Sequence, residues 1–261
     1  MDRVKIAWTF FRIGAMNELQ YRVNFFLQLF QSLLSIAISL ISLWLIYSHT
    51  SSLHGWSAAQ LLIVMGIFTM MGGVIQATIQ PNMTRLMDEI QQGTLDFALT
   101  KPVDAQLVCS VREVEIWESV DVLTGLILVA IGIARLQSQI GVAEAFAFLF
   151  VLALGGLMVY AFWMILTTLA FWVTSMWHVV ELFQGVYNAG RYPIGIYPGW
   201  LRYGLTFLVP VAFAVTVPAE ALTGRLTWQT FGGAIALAVA LLAITRVIWR
   251  LGLRRYSGAS A

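Results

Sequence analysis

Five stretches of this chain, residues 23–47, 56–79, 111–134, 142–173 and 228–249, are apolar runs of at least 22 residues. A helix needs about 20 apolar residues, at ~1.5 Å rise each, to cross the hydrocarbon of a bilayer. Inside lipid every backbone N–H and C=O must bond within its own segment, so such runs can fold only as helices. Composition excludes the soluble alternative. Hydrophobic residues make up 59% of the 261, charged residues 11%, and mean hydropathy is +0.81. A soluble domain carries about 25% charged residues. The expected class is an all-α integral membrane protein, one transmembrane domain over residues 1–261.

The charges orient it. Eleven of the fifteen lysines and arginines fall in three places: Arg3, Lys5, Arg12 and Arg22; Arg85, Lys101 and Arg112; and Arg246, Arg250, Arg254 and Arg255. Positive loops stay on the cytoplasmic side. Both termini and the segment 80–110 are therefore expected inside, while 48–55 and 219–227 face outward. Residues 1–22 hold no small-residue cleavage site and read as an interfacial helix, with Val4, Trp8, Phe11, Ala15 and Leu19 on one face. Trp44, Trp56, Trp172, Trp228 and Trp249 sit near span ends, at headgroup level.

Two cytoplasmic termini require an even number of spans, so residues 179–224 must contribute one crossing, the fifth of six. One candidate is 201–217, marked by Pro210 and Pro218. The other is 179–197, where Glu181, Gln184, Asn188 and Arg191 recur at helical steps on one face. Charges within a membrane usually face a bundle interior or an aqueous path. The second candidate is slightly preferred. It leaves a proline-broken re-entrant segment within residues 198–227, before the last span, and makes those four polar residues a candidate substrate path. The competing reading lays 179–191 on the cytoplasmic surface.

Signs of an enzyme are missing. His49, His54 and His178 have no metal-binding spacing, and neither a phosphate-binding Gly-x-x-x-x-Gly-Lys loop nor a Gly-x-Ser-x-Gly elbow occurs. No catalytic, metal or cofactor site is expected in this chain. Cys109 is alone, a small apolar filler. A net charge of +2 gives no argument for nucleic acid. The acidic residues are concentrated instead: eight of thirteen lie between Asp88 and Asp121, with Glu115 and Glu118 approaching the third span. Two spans carry small or polar stripes: Gln28, Ser32, Ser35, Ser39 and Ser42 in the first; Gly66, Thr69, Gly73, Gln76 and Gln80 in the second. Such stripes suit close helix packing.

The loop after the second span, EIQQGTLDFALTKP at residues 89–102, resembles the cytoplasmic loop of ABC type-2 exporter permeases. Their pattern of an acidic residue, Gly-Thr-Leu-Asp/Glu, a leucine and a following proline is matched by Glu89, Gly93, Thr94, Leu95, Asp96, Leu99 and Pro102, with Lys101 beside them. The stretch RYPIGIYP at 191–198, with Pro210 and Pro218, is similar to the outer re-entrant region of a bacterial branch of these permeases. The resemblance implies six spans and a short coupling helix in that loop. It further implies a separate ATPase subunit that binds ATP and Mg and docks on 89–102. A second permease, identical or related, would complete the path. The setting would be the bacterial inner membrane, among its lipids. Polysaccharide exporters of this class often carry an Arg-Asp pair after the fourth span; residues 174–178 read TSMWH instead. A path poor in charge and rich in Met, Phe and Trp points to a lipidic or amphipathic cargo. Substitution at Gly93 or Leu95 is expected to uncouple transport while leaving the fold intact. The alternative class is an ion-coupled secondary transporter using Glu115, Glu118, Glu181 or Arg191; no inverted repeat of the kind common there is visible.

Overall fold

The computed structural model describes residues 22–136, 140–173 and 178–256. The expected interfacial helix (1–22) and the turn at 174–177 lie outside the described residues, apart from Arg22. Among the described residues the fold is helical, with a single isolated bridge, Leu53–Trp56, in place of any strand. Helix α1 is Arg22–His49. Helix α2, Ala58–Val74, starts at a capping box in which Gln60 N–H donates to Ser57 Oγ and Ser57 N–H to Gln60 Oε1. It runs through a π turn, Ile75–Ile79, into α3, Gln80–Gln92.

Together these form one 35-residue helix, Ala58–Gln92. At ~1.5 Å per residue it is about 50 Å long, well beyond a hydrocarbon core of ~30 Å. The sequence reading ended this span at residue 79 and began a loop at 80. In the structure the helix continues and carries the next segment clear of the apolar layer. The π turn has a local cause. Pro81 has no N–H to give the Ala77 carbonyl and its ring crowds that position. The freed Ala77 carbonyl accepts the Glu115 N–H at 2.9 Å instead.

Short helices α4 (Asp96–Leu99) and α5 (Ala105–Cys109) follow, then the spanning helices α6 (Ser119–Arg135) and α7 (Val142–Thr168). Helix α8 is Val179–Asn188, ended by a 3-10 turn at Ala189–Arg191. Helix α9 (Gly199–Tyr203) runs on to Leu208, and Ala212–Thr216 leads into α10 (Val217–Leu222). The last helix, α11, is Trp228–Leu253.

Five helices are long and apolar enough to cross a membrane, and the pair Gly199–Leu208 and Ala212–Leu222, bent by 78°, makes up to six. Neither candidate for the fifth span is one straight helix. Over 179–197 the α-helix stops after ten residues, about 15 Å and half of a ~30 Å core. Over 201–217 the helix breaks at Pro210, as that residue's missing N–H requires.

Contacts fix where the bend sits. Gly190 lies against Val211 and Phe68, the latter well inside α2, so the bend is at mid-depth. Arg225 N–H donates to the Glu220 carbonyl at 2.8 Å, and its Nη2 donates to the Gly55 carbonyl beside Trp56. The second arm of the bent pair thus returns to the end of the bundle where α2 begins. The guanidinium of Arg225 also covers the Trp56 ring at 4.7 Å.

Helix α2 is the centre of the bundle. Two-thirds of its best apolar window is buried (67%), against 11% for α1. It packs on α6 through glycines. A Cβ on Gly66 would lie 2.7 Å from Val129 N and 2.8 Å from Gly125 O; one on Gly73 would lie 2.8 Å from Val122 N. The small-residue stripe of the second span is therefore a helix contact, as its spacing suggested. Its partners Gly125 and Gly132 on α6 complete the seam. The first-span stripe is used less: Ser32 meets Thr124 at 3.2 Å and Gln28 donates to Glu118 at 2.8 Å, while Ser39 and Ser42 bond only within α1. On the other side α7 holds the bent pair, with Gly155 against the backbone of Phe213 and Ala214.

Candidate functional site

The segment at the far end of the long helix is built as a rigid projection. Gly93 ends α3 in the left-handed conformation (φ 69°, ψ 19°), and its N–H reaches back to the carbonyls of Glu89 and Ile90. Thr94 N–H joins it on Glu89 at 3.0 Å. This is the C-terminal stop that glycine favours. Gly93→Ala is expected to cost about 1 kcal/mol, read as a small loss of melting temperature in detergent with the helix retained.

Leu95 follows, fully buried in the main hydrophobic cluster with Ala98. The four residues of α4 then present Phe97, 78% exposed, and Leu99, 38% exposed. Thr94, Thr100, Lys101 and Pro102 are exposed as well. The matched residues thus divide in two. Leu95 is an anchor inside the protein, so the expectation that its substitution leaves the fold intact is corrected. Leu99, Lys101 and Pro102 lie outside with Phe97, which the motif did not single out.

Charged pairs brace the projection. Arg112 Nη1 donates to both oxygens of Glu89, at 2.7 and 3.0 Å, with the two side chains only 10% and 15% exposed. Arg85 bonds Glu89 at 3.1 Å and Glu113 at 2.5 Å. Behind them Asn82, 1% exposed, uses its whole amide. Nδ2 donates to the carbonyls of Thr78 and Glu113, both at 2.7 Å, and Oδ1 accepts the N–H groups of Arg112 (2.7 Å) and Glu113 (2.9 Å). A fully satisfied buried amide specifies one arrangement of α3 and the strand-like run before α6. Neither Asn82 nor Glu113 was legible as a brace, because their partners lie about thirty residues away.

A second brace reaches α11. Asp104 accepts the N–H of Gln106 at the start of α5 and pairs with Arg246 at 2.6 Å, while Arg246 also donates to Gln106 Oε1 at 2.7 Å. The Arg246 guanidinium holds the Asp104 carboxyl below its ordinary range. Cys109 lies beneath, and burial pushes its thiol up to about 11. It is an inert packing residue, as read from its isolation.

The residues of the candidate path are not brought together. Glu181, Gln184 and Asn188 lie along the exposed face of α8. Glu181 meets His178 at 3.3 Å and Gln184 reaches Gln80 at 3.5 Å. The opposite face buries Phe183 against Trp163 and Tyr187 on Phe68, with the Tyr187 hydroxyl donating to the Phe68 carbonyl at 2.8 Å. Arg191 departs from the polar face and places its guanidinium 5.6 Å from the Phe68 ring. Glu118 accepts from Gln28 on α1. Glu118, Glu181 and Arg191, three of the groups named for ion coupling, are thus held by different partners. Among the described residues no group of His, Cys, Asp and Glu side chains could hold a metal ion.

The arrangement is a membrane bundle with a braced projection at one end and a bent pair returning to the other. A family model described as ABC-2 family transporter protein matches residues 33–260. The chain belongs to the ABC-2 transporter family. That match runs from the middle of α1 through every later spanning helix and the projection, and it makes the chain a non-catalytic, multi-pass membrane subunit of an ABC transporter, a permease. Searches of curated proteins and of solved structures returned no match.

Proposed function

We propose that this permease is the membrane half of an ATP-driven exporter. A separate ATPase subunit docks on Phe97, Leu99, Lys101 and Pro102, and a second permease, identical or related, completes the path. ATP and Mg are bound by the ATPase. The observation that carries this reading is α4, held out by an unbroken 35-residue helix with its most apolar side chain in the open.

Closure of the ATPase around ATP would push on α4. The braces Glu89–Arg112, Asn82 and Asp104–Arg246 prevent the projection from yielding locally. The displacement then passes along α3 and α2, and through the glycine seam to α6. Packed helices switch as rigid bodies rather than deform continuously. The exposed polar face of α8, with Glu181, Gln184 and Asn188, would border the path at the seam with the second permease. A charge-poor surroundings suits a lipidic or amphipathic cargo. The lysine and arginine count supports a cytoplasmic side for α4 and both termini, and the family resemblance supports a bacterial inner membrane as the setting.

The test is co-purification with the ATPase after Phe97→Asp. An exposed aromatic at an interface centre contributes about 2 kcal/mol or more, so recovery of the ATPase should fall at least about tenfold while the permease keeps its melting temperature. Normal recovery and normal transport in this variant would overturn the docking assignment.

A further inference from the structure

A cavity of ≈ 630 Å³ lies at the Trp56 end of the bundle, between the first turns of α7 and α11 and the end of α10. It belongs neither to the docking projection nor to the polar face of α8. Its wall is aromatic. Phe150 and Phe231 stand 5.6 Å apart, Trp228 meets Phe231 edge-on at 6.0 Å, and Phe146 lies alongside. Ala221 and Leu226 lie on the α10 side. Trp228 (87%), Phe146 (69%) and Phe150 (48%) are open to the outside of the bundle. In a membrane subunit that outside is lipid.

One charged side chain lines the cavity, Glu144, in the first turn of α7. It has no hydrogen-bond or ion-pair partner among the described residues. Trp228, the first residue of its span, marks the same level as the headgroup region. A cavity of this size is in the range of small-molecule sites. Apolar walls disfavour filling by water, which needs two to four polar partners per molecule. The neighbouring apolar material is the acyl chain of the bilayer; the Glu144 carboxylate lies back against Gly141 at the start of α7, and a headgroup cation complements its charge.

We propose that this cavity holds an acyl chain of a bilayer phospholipid whose primary-amine headgroup pairs with Glu144. The chain lies against Phe150 and Phe231, and the ammonium donates to the carboxylate. An ammonium–carboxylate pair with hydrogen bonds is about twice as strong as a neutral bond. A headgroup without a cationic ammonium, such as that of phosphatidylglycerol, loses it. Because Ala221 and Gly224 line the same cavity, the lipid also rests on the end of the bent pair. This inference is independent of the exporter reading.

The experiment reconstitutes the purified permease in nanodiscs containing phosphatidylethanolamine or phosphatidylglycerol, each with the same photoactivatable acyl chain. Crosslinked peptides are then located by mass spectrometry. The ethanolamine probe is expected to label peptides containing Phe150 and Phe231 about tenfold more than the glycerol probe. Glu144→Gln should abolish the preference for the ethanolamine probe, while Glu144→Asp should keep it. Equal labelling by the two probes in the unaltered protein overturns the proposal. So does an ethanolamine preference that survives Glu144→Gln, or labelling spread evenly along the exposed face of α1.

Discussion

Gly125→Leu is expected to leave almost no correctly assembled protein. A Cβ at this position would meet the backbone of Met70 and the carbonyl of Gly66, neither of which can move without parting α2 from α6. Overpacking usually costs about 1–3 kcal/mol when side chains can adjust. Here the obstacle is main chain on the most buried helix of the bundle, so the cost should reach or exceed the upper figure. Folded proteins hold only about 5–15 kcal/mol in reserve. The yield of monodisperse protein in mild detergent checks this, with Gly156→Leu as the control, since nothing lies within 4 Å of a Cβ there. Equal yields for the two variants would show that the α2–α6 seam does not carry the bundle.

Arg112→Leu should be the most damaging change in the projection. It removes both hydrogen bonds from Glu89 and leaves a carboxylate that is 15% exposed with only Arg85, itself 47% exposed, as partner. Removing one member of a buried pair typically destabilises by about 3–5 kcal/mol, and the remaining arginine should hold the loss near the lower figure. Glu89→Gln combined with Arg112→Leu should recover part of it, because the uncompensated charge is gone. Melting temperatures of the two singles and the double form a cycle that isolates the pair. Strict additivity would mean that Glu89 and Arg112 act separately and that the brace is elsewhere. The paired charges also explain why a motif residue, Glu89, belongs to the frame of the projection while Phe97 and Leu99 form its contact surface.

Much of this was legible in the chain because lipid imposes a simple rule. With no water to satisfy the backbone, apolar runs become helices wherever they are long enough, and all five straight spans fall where the runs lie. The glycine stripe on α2 was readable from its spacing. The proline break at Pro210 follows from a missing donor. Three-dimensional detail was less accessible. Hydropathy turned polar at Gln80 and suggested a loop, but Asn82 and Arg85 keep the helix going through partners at Arg112 and Glu113. Helical spacing placed Arg191 with Glu181, Gln184 and Asn188, yet the helix ends at Asn188 and the guanidinium turns onto Phe68.

The sequence by itself therefore determined the class, the number of long spans within one, the break at Pro210 and the family pattern of the projection. The first three depend on local chemistry: chain length against bilayer thickness and backbone donors. Only the tertiary structure decided that Leu95 is inside and Phe97 outside, that Glu89 serves the frame, and that the second arm of the bent pair returns to the Trp56 end. Those are contacts between residues far apart in the chain. A run of letters carries no record of which distant groups will meet.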